Sequence, residues 1–260
     1  MRFYRCGLVP KILFFAALLL VLGACGKKGP VRPLTVLDPA APETFSAEQV
    51  GESILLSWGP PTHNQDGSPL TDLAGFRIYR LAFPADDPCP ECREEQAVLV
   101  AELALDYLPS GSRFGDQLFL FDTRVAVATG YLYRIQAVNL KNRPGAPARA
   151  RLILTEPPPP PAKAAATGHD RLVRLHWSPV TALPQDARLL GYHLYRRTGE
   201  APFSPLPLTQ TPLTETAFED FAVANDQTYG YAVRTVIEHD GRRIFSGRSA
   251  EVRVVPRAGR

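Results

Sequence analysis

Asp122, Val125, Tyr131 and Tyr133 recur without a gap as Asp220, Val223, Tyr229 and Tyr231, and this duplication restricts the fold more than any other feature. Each copy also has a tryptophan upstream. Leu56-Ser57-Trp58-Gly59-Pro60 is answered by Leu175-His176-Trp177-Ser178-Pro179. Between tryptophan and tyrosines, Gly75-Phe76-Arg77-Ile78-Tyr79-Arg80 is answered by Gly191-Tyr192-His193-Leu194-Tyr195-Arg196. Trp58 to Tyr131 spans 73 positions and Trp177 to Tyr229 spans 52, so the first copy carries about 21 extra residues, some of them around Asp86 to Cys92. Repeats of this length, each with its own tryptophan and tyrosine strand, predict tandem domains.

The periodicity inside each copy is two. Phe76 and Ile78 share one face of a strand and Arg77 and Tyr79 the other, while Tyr131, Tyr133, Ile135 and Ala137 line a single face. Ser53 to Trp58 ends in Gly59-Pro60-Pro61, an apolar run closed by turn residues. Ala97 to Leu103, Gln117 to Phe121 and Arg149 to Thr155 are further strands, and no stretch keeps a long 3.6 period. Asp240-Gly241 predicts a tight hairpin between the last two strands. The fold class is therefore all-β. Pro157 to Pro161 lack backbone donors and favour a polyproline II rod of about 15 Å, which is expected to part domains rather than join strands of one sheet. The expected domains are 43–156 and 164–256, with 157–163 as linker.

Together the early tryptophan, the Gly-aromatic-x-aliphatic-Tyr-Arg strand and the Asp-x-x-Val…Tyr-x-Tyr corner resemble the fibronectin type III family in its bacterial form. The resemblance covers nearly all of residues 43–256 and implies two tandem immunoglobulin-like β-sandwiches. It also implies structural roles for Trp58, Tyr131, Trp177 and Tyr229. The first tyrosine of each pair should bond the backbone a few residues upstream. Thr235 departs from the pattern where the first copy has Ala137.

The N-terminus supplies an address. Arg2, Arg5 and Lys11 precede an apolar run from Ile12 to Leu22 and then Gly23-Ala24-Cys25, the grammar of a secretory signal over residues 1–24. The run has about half of the ~20 apolar residues a transmembrane helix needs. Leu22-Gly23-Ala24-Cys25 resembles a bacterial lipobox, which implies cleavage before Cys25 and its acylation. Residues 25–42 then read as a proline-rich tether with a reach of up to ~50 Å at ~3.1 Å per residue. Gly26 follows the lipidated cysteine where, in the lipoproteins of enteric bacteria, an aspartate signals inner-membrane retention. The resemblance thus implies an outer-membrane lipoprotein. Cys25-Gly26-Lys27-Lys28-Gly29-Pro30 also resembles the start of very small lipoproteins that help mature the lipopolysaccharide translocon, although over only about ten residues.

Charge and chemistry narrow the function further. The chain has 29 Lys+Arg against 26 Asp+Glu, and three of those cations leave with the signal, so the mature chain balances at 26 of each. Such a chain lacks the electrostatic footprint of a nucleic-acid binder. His63, His169, His176, His193 and His239 are scattered, without metal-ligand spacing, and His176 and His193 are expected to face solvent on their sheets. No nucleophile elbow, phosphate loop or dinucleotide fingerprint occurs. The recurring Asp122 and Asp220 read as turn carboxylates accepting backbone N–H bonds. Cys89-Pro90-Glu91-Cys92 is the one reactive-looking element. In an exported chain a disulfide is its first reading, followed by a zinc or partner-supplied site and then a free redox pair. The sequence therefore predicts no catalytic residue, no metal and no cofactor. It predicts a scaffold whose partners are the membrane, through acyl chains, and a protein of the cell envelope. An assembly factor for lipopolysaccharide export is the alternative, and a thiol-redox protein the last.

Overall fold

The computed structural model describes residues 37–109 and 112–259. Short runs alternating between apolar and polar residues build eight strands in the first repeat. These are β1 (Glu43–Val50), β2 (Ser53–Gly59), β3 (Leu73–Pro84), β4 (Val98–Ala104), β5 (Arg113–Phe114), β6 (Gln117–Asp122), β7 (Thr129–Asn139) and β8 (Pro144–Ile153). One sheet has the order β1-β2-β6-β5 and the other β4-β3-β7-β8. The inner faces of the two sheets bury Trp58, Phe76, Ile78, Tyr131, Tyr133 and Ile135. The Trp58 and Phe76 rings meet edge to face at 5.5 Å, a geometry favoured by the ring quadrupoles.

The second repeat has β9 (Ala165–His169), β10 (Leu172–His176), β11 (Arg188–Thr198), β12 (Ala217–Asp220), β13 (Tyr229–His239), β14 (Arg242–Phe245) and β15 (Val252–Val254). The sheet β12-β10-β9 faces the sheet in which β13 pairs with β11, β14 and β15. Val173, Trp177, Leu194, Tyr231 and Val233 fill the space between. Trp177 meets Tyr192 edge to face at 5.6 Å, repeating the contact of the first copy. Asp240 and Gly241, with φ of 51° and 69°, form the two-residue turn between β13 and β14, the left-handed pair that a right-twisted hairpin requires. Both repeats are all-β sandwiches with the fibronectin type III-like division of strands.

Most of the extra length of the first repeat lies between β3 and β6. There it builds a 3-10 stretch, Pro90–Gln96, and the edge strand β4. In the second repeat β4 is reduced to an isolated bridge between Tyr192 and Leu213, and the 3-10 stretch has no counterpart among the described residues.

The expectation that the proline rod keeps the strands of the two repeats in separate sheets is corrected at one place. β14 runs parallel to β1, with Val50 opposite Phe245, and the Gly51 N–H donates to the Phe245 carbonyl at 2.8 Å. The β1 sheet of the first sandwich thereby continues into β14-β13-β11 of the second. Prolines cannot donate to a ladder, but their carbonyls accept, and the linker is fastened that way. The Thr235 hydroxyl donates to the Pro159 carbonyl at 2.7 Å. Just before the prolines, Gln49 exchanges bonds with the Thr155 backbone, donating to its carbonyl at 2.6 Å and accepting its N–H at 3.1 Å. A separate apolar cluster, Val50, Leu55, Phe119, Val236 and Phe245, fills the seam.

Candidate functional site at the junction of the two sandwiches

Trp58, Tyr131, Trp177 and Tyr229 are all buried core residues, 0 to 5% exposed. The Tyr131 hydroxyl accepts the Ala126 N–H at 2.7 Å, and the Tyr229 hydroxyl accepts the Ala224 N–H at 2.9 Å. Each bond ties the start of a long central strand to the loop before it. The indole N–H groups of both tryptophans are sealed from solvent with no acceptor among the described residues, so these rings act by packing.

Beside each tyrosine corner lies a buried ionic cluster that the sequence reading did not assemble. Asp122 accepts Arg80 Nη1 at 2.7 Å and the Tyr133 hydroxyl at 2.9 Å, while its other oxygen accepts the Arg124 N–H at 3.1 Å. Asp220 does the same with Arg196 at 2.7 Å, Tyr231 at 2.7 Å and the Ala222 N–H at 2.9 Å. The N–H bonds are those expected of a turn carboxylate; the arginine and phenol are additional. Burial, reinforced by the adjacent carboxylate, pushes both phenols far above the usual tyrosine range. They therefore stay protonated donors, and every oxygen of the carboxylate is occupied. Such a cluster holds strands together and has no free base or nucleophile. The signal was present in the sequence: Arg80 and Arg196 follow the strand tyrosine at the same offset in each copy.

Cys89 and Cys92 are joined by a disulfide in the loop after β3. The loop is drawn onto β8 by Glu94 with Arg149 at 2.7 Å and Glu91 with Arg151 at 3.0 Å. Asp87 pairs with Arg93 and accepts the Cys89 N–H at 3.1 Å. Among the described residues, no group of three His, Cys, Asp or Glu side chains is arranged to hold a metal.

The seam between the sandwiches opens into a cleft of about 490 Å³, which shares Phe121, Pro205 and Arg234 as lining residues with a neighbouring one of about 200 Å³. Its walls come from β6 of the first repeat and from β11, β13 and the 199–210 loop of the second. Here His193 departs from expectation: it is buried, 3% exposed, with its ring stacked on Phe245 at 6.0 Å and Nδ1 3.3 Å from the Thr209 hydroxyl. Alternation along β11 does put it opposite Tyr192 and Leu194, but that face is covered by Phe245 and the Thr209 loop of its own repeat rather than by water.

The Arg234 side chain is also buried, 8% exposed. Nη1 donates to the Ser246 carbonyl at 2.7 Å, the guanidinium lies 5.3 Å from the Tyr195 ring centre, and Nε has no acceptor among the described residues. Burial lowers this guanidinium to about 10. Phe203 lies between two more cations, 4.8 Å from Arg248 and 5.5 Å from Arg197. Arg197 is paired with Glu251 at 2.9 Å.

Burial, aided by Arg243, holds the His193 imidazole below its ordinary pKa of 6.5. The folded chain keeps it neutral in a range where the unfolded chain accepts a proton. Stability is therefore lost as pH falls through about 6.5 and levels off below the depressed folded value. Glu48, raised by burial and partly offset by Arg243, acts with the opposite sign. It is present in both proteins of the following comparison and largely cancels. Urea denaturation at pH 7.5 and 5.5 should show wild type losing more stability on acidification than His193→Gln. Equal losses contradict a neutral buried His193.

The expectations for Leu22-Gly23-Ala24-Cys25, for acylation of Cys25 and for Cys25 to Pro30 lie outside the described residues. No described helix is long and apolar enough to cross a membrane. No protein-family model matches the chain. No curated protein matches it either. Among solved structures, the FN1–FN3 domains of chicken CNTN1 align over 85% of this chain and 68% of theirs, at 11% identity and a TM-score of 0.32.

Proposed function

We propose that this chain is a lipid-anchored, non-catalytic interaction module of the bacterial outer membrane, which presents the junction of two fibronectin-like sandwiches to a protein partner. The observation that carries the reading is the junction itself. The carboxylates of the two buried clusters, Asp122 and Asp220, are occupied by arginine, tyrosine and backbone donors, whereas the cleft gathers exposed aromatic surface and an arginine with an unused donor. A sandwich with such a cleft has the means to bind, and the two carboxylates that line it, Glu200 and Glu251, are both held in ion pairs with Arg197 and Arg253. The anchor rests on the lipobox-like Leu22-Gly23-Ala24-Cys25, and several acyl chains on one cysteine make release from the membrane negligible at ~0.8 kcal/mol per buried CH₂.

Mass spectrometry of a bacterial membrane fraction should find a peptide that begins at Cys25 and carries lipid. Cys25→Ala should move the protein out of that fraction. A soluble, unmodified chain insensitive to Cys25→Ala contradicts the anchor. Deleting residues 43–260 separates this function from assistance to lipopolysaccharide export: an assembly factor acting through Cys25 to Pro30 keeps its activity without the sandwiches, and an interaction module loses it.

A further inference from the structure

We infer that the junction cleft is a carboxylate-binding seat for an acidic peptide segment of the partner, held by Arg234, with Arg248 as second cation and Phe203 and Phe121 as apolar flanks. The inference rests on the reading of the chain as an interaction module and names the chemistry of its partner. A guanidinium offers a carboxylate two parallel donors along its Nε–Nη2 edge. In Arg234 the Ser246 carbonyl occupies Nη1, on the other side of the group, and Nε has no acceptor among the described residues. On the edge suited to a carboxylate, Nε is sealed from solvent, while Nη2 forms no hydrogen bond among the described residues. A buried cation without a counter-ion is held below its ordinary pKa, as Arg234 is. An incoming carboxylate at Nη2 relieves that.

The acids already in the cleft do not fill that role. Glu251 pairs with Arg197 and Arg253, and Glu200 with the same two arginines. Arg248 forms no ion pair among the described residues, only its contact with the Phe203 ring. Phe121, 43% exposed on the first sandwich, supplies an apolar wall opposite. The guanidinium matches carboxylate and phosphate alike, and the phenylalanine and proline surfaces beside it favour an acidic side chain flanked by apolar residues.

Fluorescence anisotropy tests this with the full chain in detergent and a labelled peptide of alternating leucine and glutamate. The glutamate peptide should bind at least tenfold more tightly than the same peptide with glutamine. Arg234→Met should abolish that preference, and the exposed Arg248→Gln, which leaves the core untouched, should reduce it severalfold. An unchanged melting temperature of Arg248→Gln shows that folding is not the cause. Equal binding of the two peptides, or a preference that survives both substitutions, overturns the inference. Displacement by inorganic phosphate at lower concentration than by acetate also overturns it, in favour of a phosphoryl ligand. None of these outcomes touches the membrane fractionation that tests the anchor.

Discussion

Asp220→Ala lowers the melting temperature of the protein by on the order of 10 °C. The carboxylate is 3% exposed and accepts three bonds, from Arg196, from Tyr231 and from the Ala222 N–H. Removing it leaves a buried phenol without its acceptor and a partly buried guanidinium with the Ala222 carbonyl but no counter-ion. Breaking one side of a buried ion pair typically costs ~3–5 kcal/mol, and a domain pair of this size loses roughly 2–4 °C per kcal/mol. Tyr231→Phe removes only one neutral donor and should cost about 1 kcal/mol. The contrast between the two variants matters, because an aspartate that served the turn alone would cost about as little as the tyrosine. Thermal melts followed by circular dichroism measure both. A loss for Asp220→Ala no greater than that for Tyr231→Phe contradicts the cluster.

Phe245→Ala is the corresponding substitution at the seam. The ring lies among Val50, Leu55, Phe119 and Val236, drawn from both repeats, and is stacked on His193. Truncating a buried phenylalanine costs ~3–5 kcal/mol in transfer and cavity terms. Here the loss falls on the contact between two sandwiches, each of which keeps its own core of Trp58 and Tyr133 or of Trp177 and Tyr231. The expected outcome is therefore uncoupling. Each sandwich should still melt cooperatively, but no longer with the other, and the Phe119 and Val236 faces become wet.

What could be read from the sequence was local. The tyrosine corners need only a tyrosine and a loop five residues away, and the Asp240-Gly241 turn needs only its own two residues. Strands with one solvent face, such as β3, display themselves by alternation. The seam is of another kind. β14 and β1 lie almost two hundred residues apart, and β1, Glu43–Val50, is weakly patterned because most of it is only half-buried. β13 has nine consecutive buried residues, covered on one side by its own sandwich and on the other by the first repeat. Alternation loses its meaning on such a strand, which is why Thr235 reads as a weak core position; on the neighbouring β11, His193 reads as solvent-facing although Phe245 covers it. Both are fixed by partners outside their own strands: Phe245 and Thr209 of the same repeat for the one, the Pro159 carbonyl of the linker for the other. Arg234 was invisible for the same reason. An arginine on a strand reads as exposed until something covers it.

The central claim is that the two sandwiches form one body whose seam creates the binding cleft, and scanning calorimetry of the wild-type full chain beside Phe245→Ala tests it most directly. A coupled pair melts in a single transition whose van't Hoff enthalpy approaches the calorimetric enthalpy, whereas two independent domains give a ratio near one half. The wild type should show the single transition, and Phe245→Ala should split or broaden it at a lower temperature. Two independent transitions in the wild type, unmoved relative to one another by Phe245→Ala, would show that the seam contributes nothing to folding and that no fixed cleft lies between the repeats.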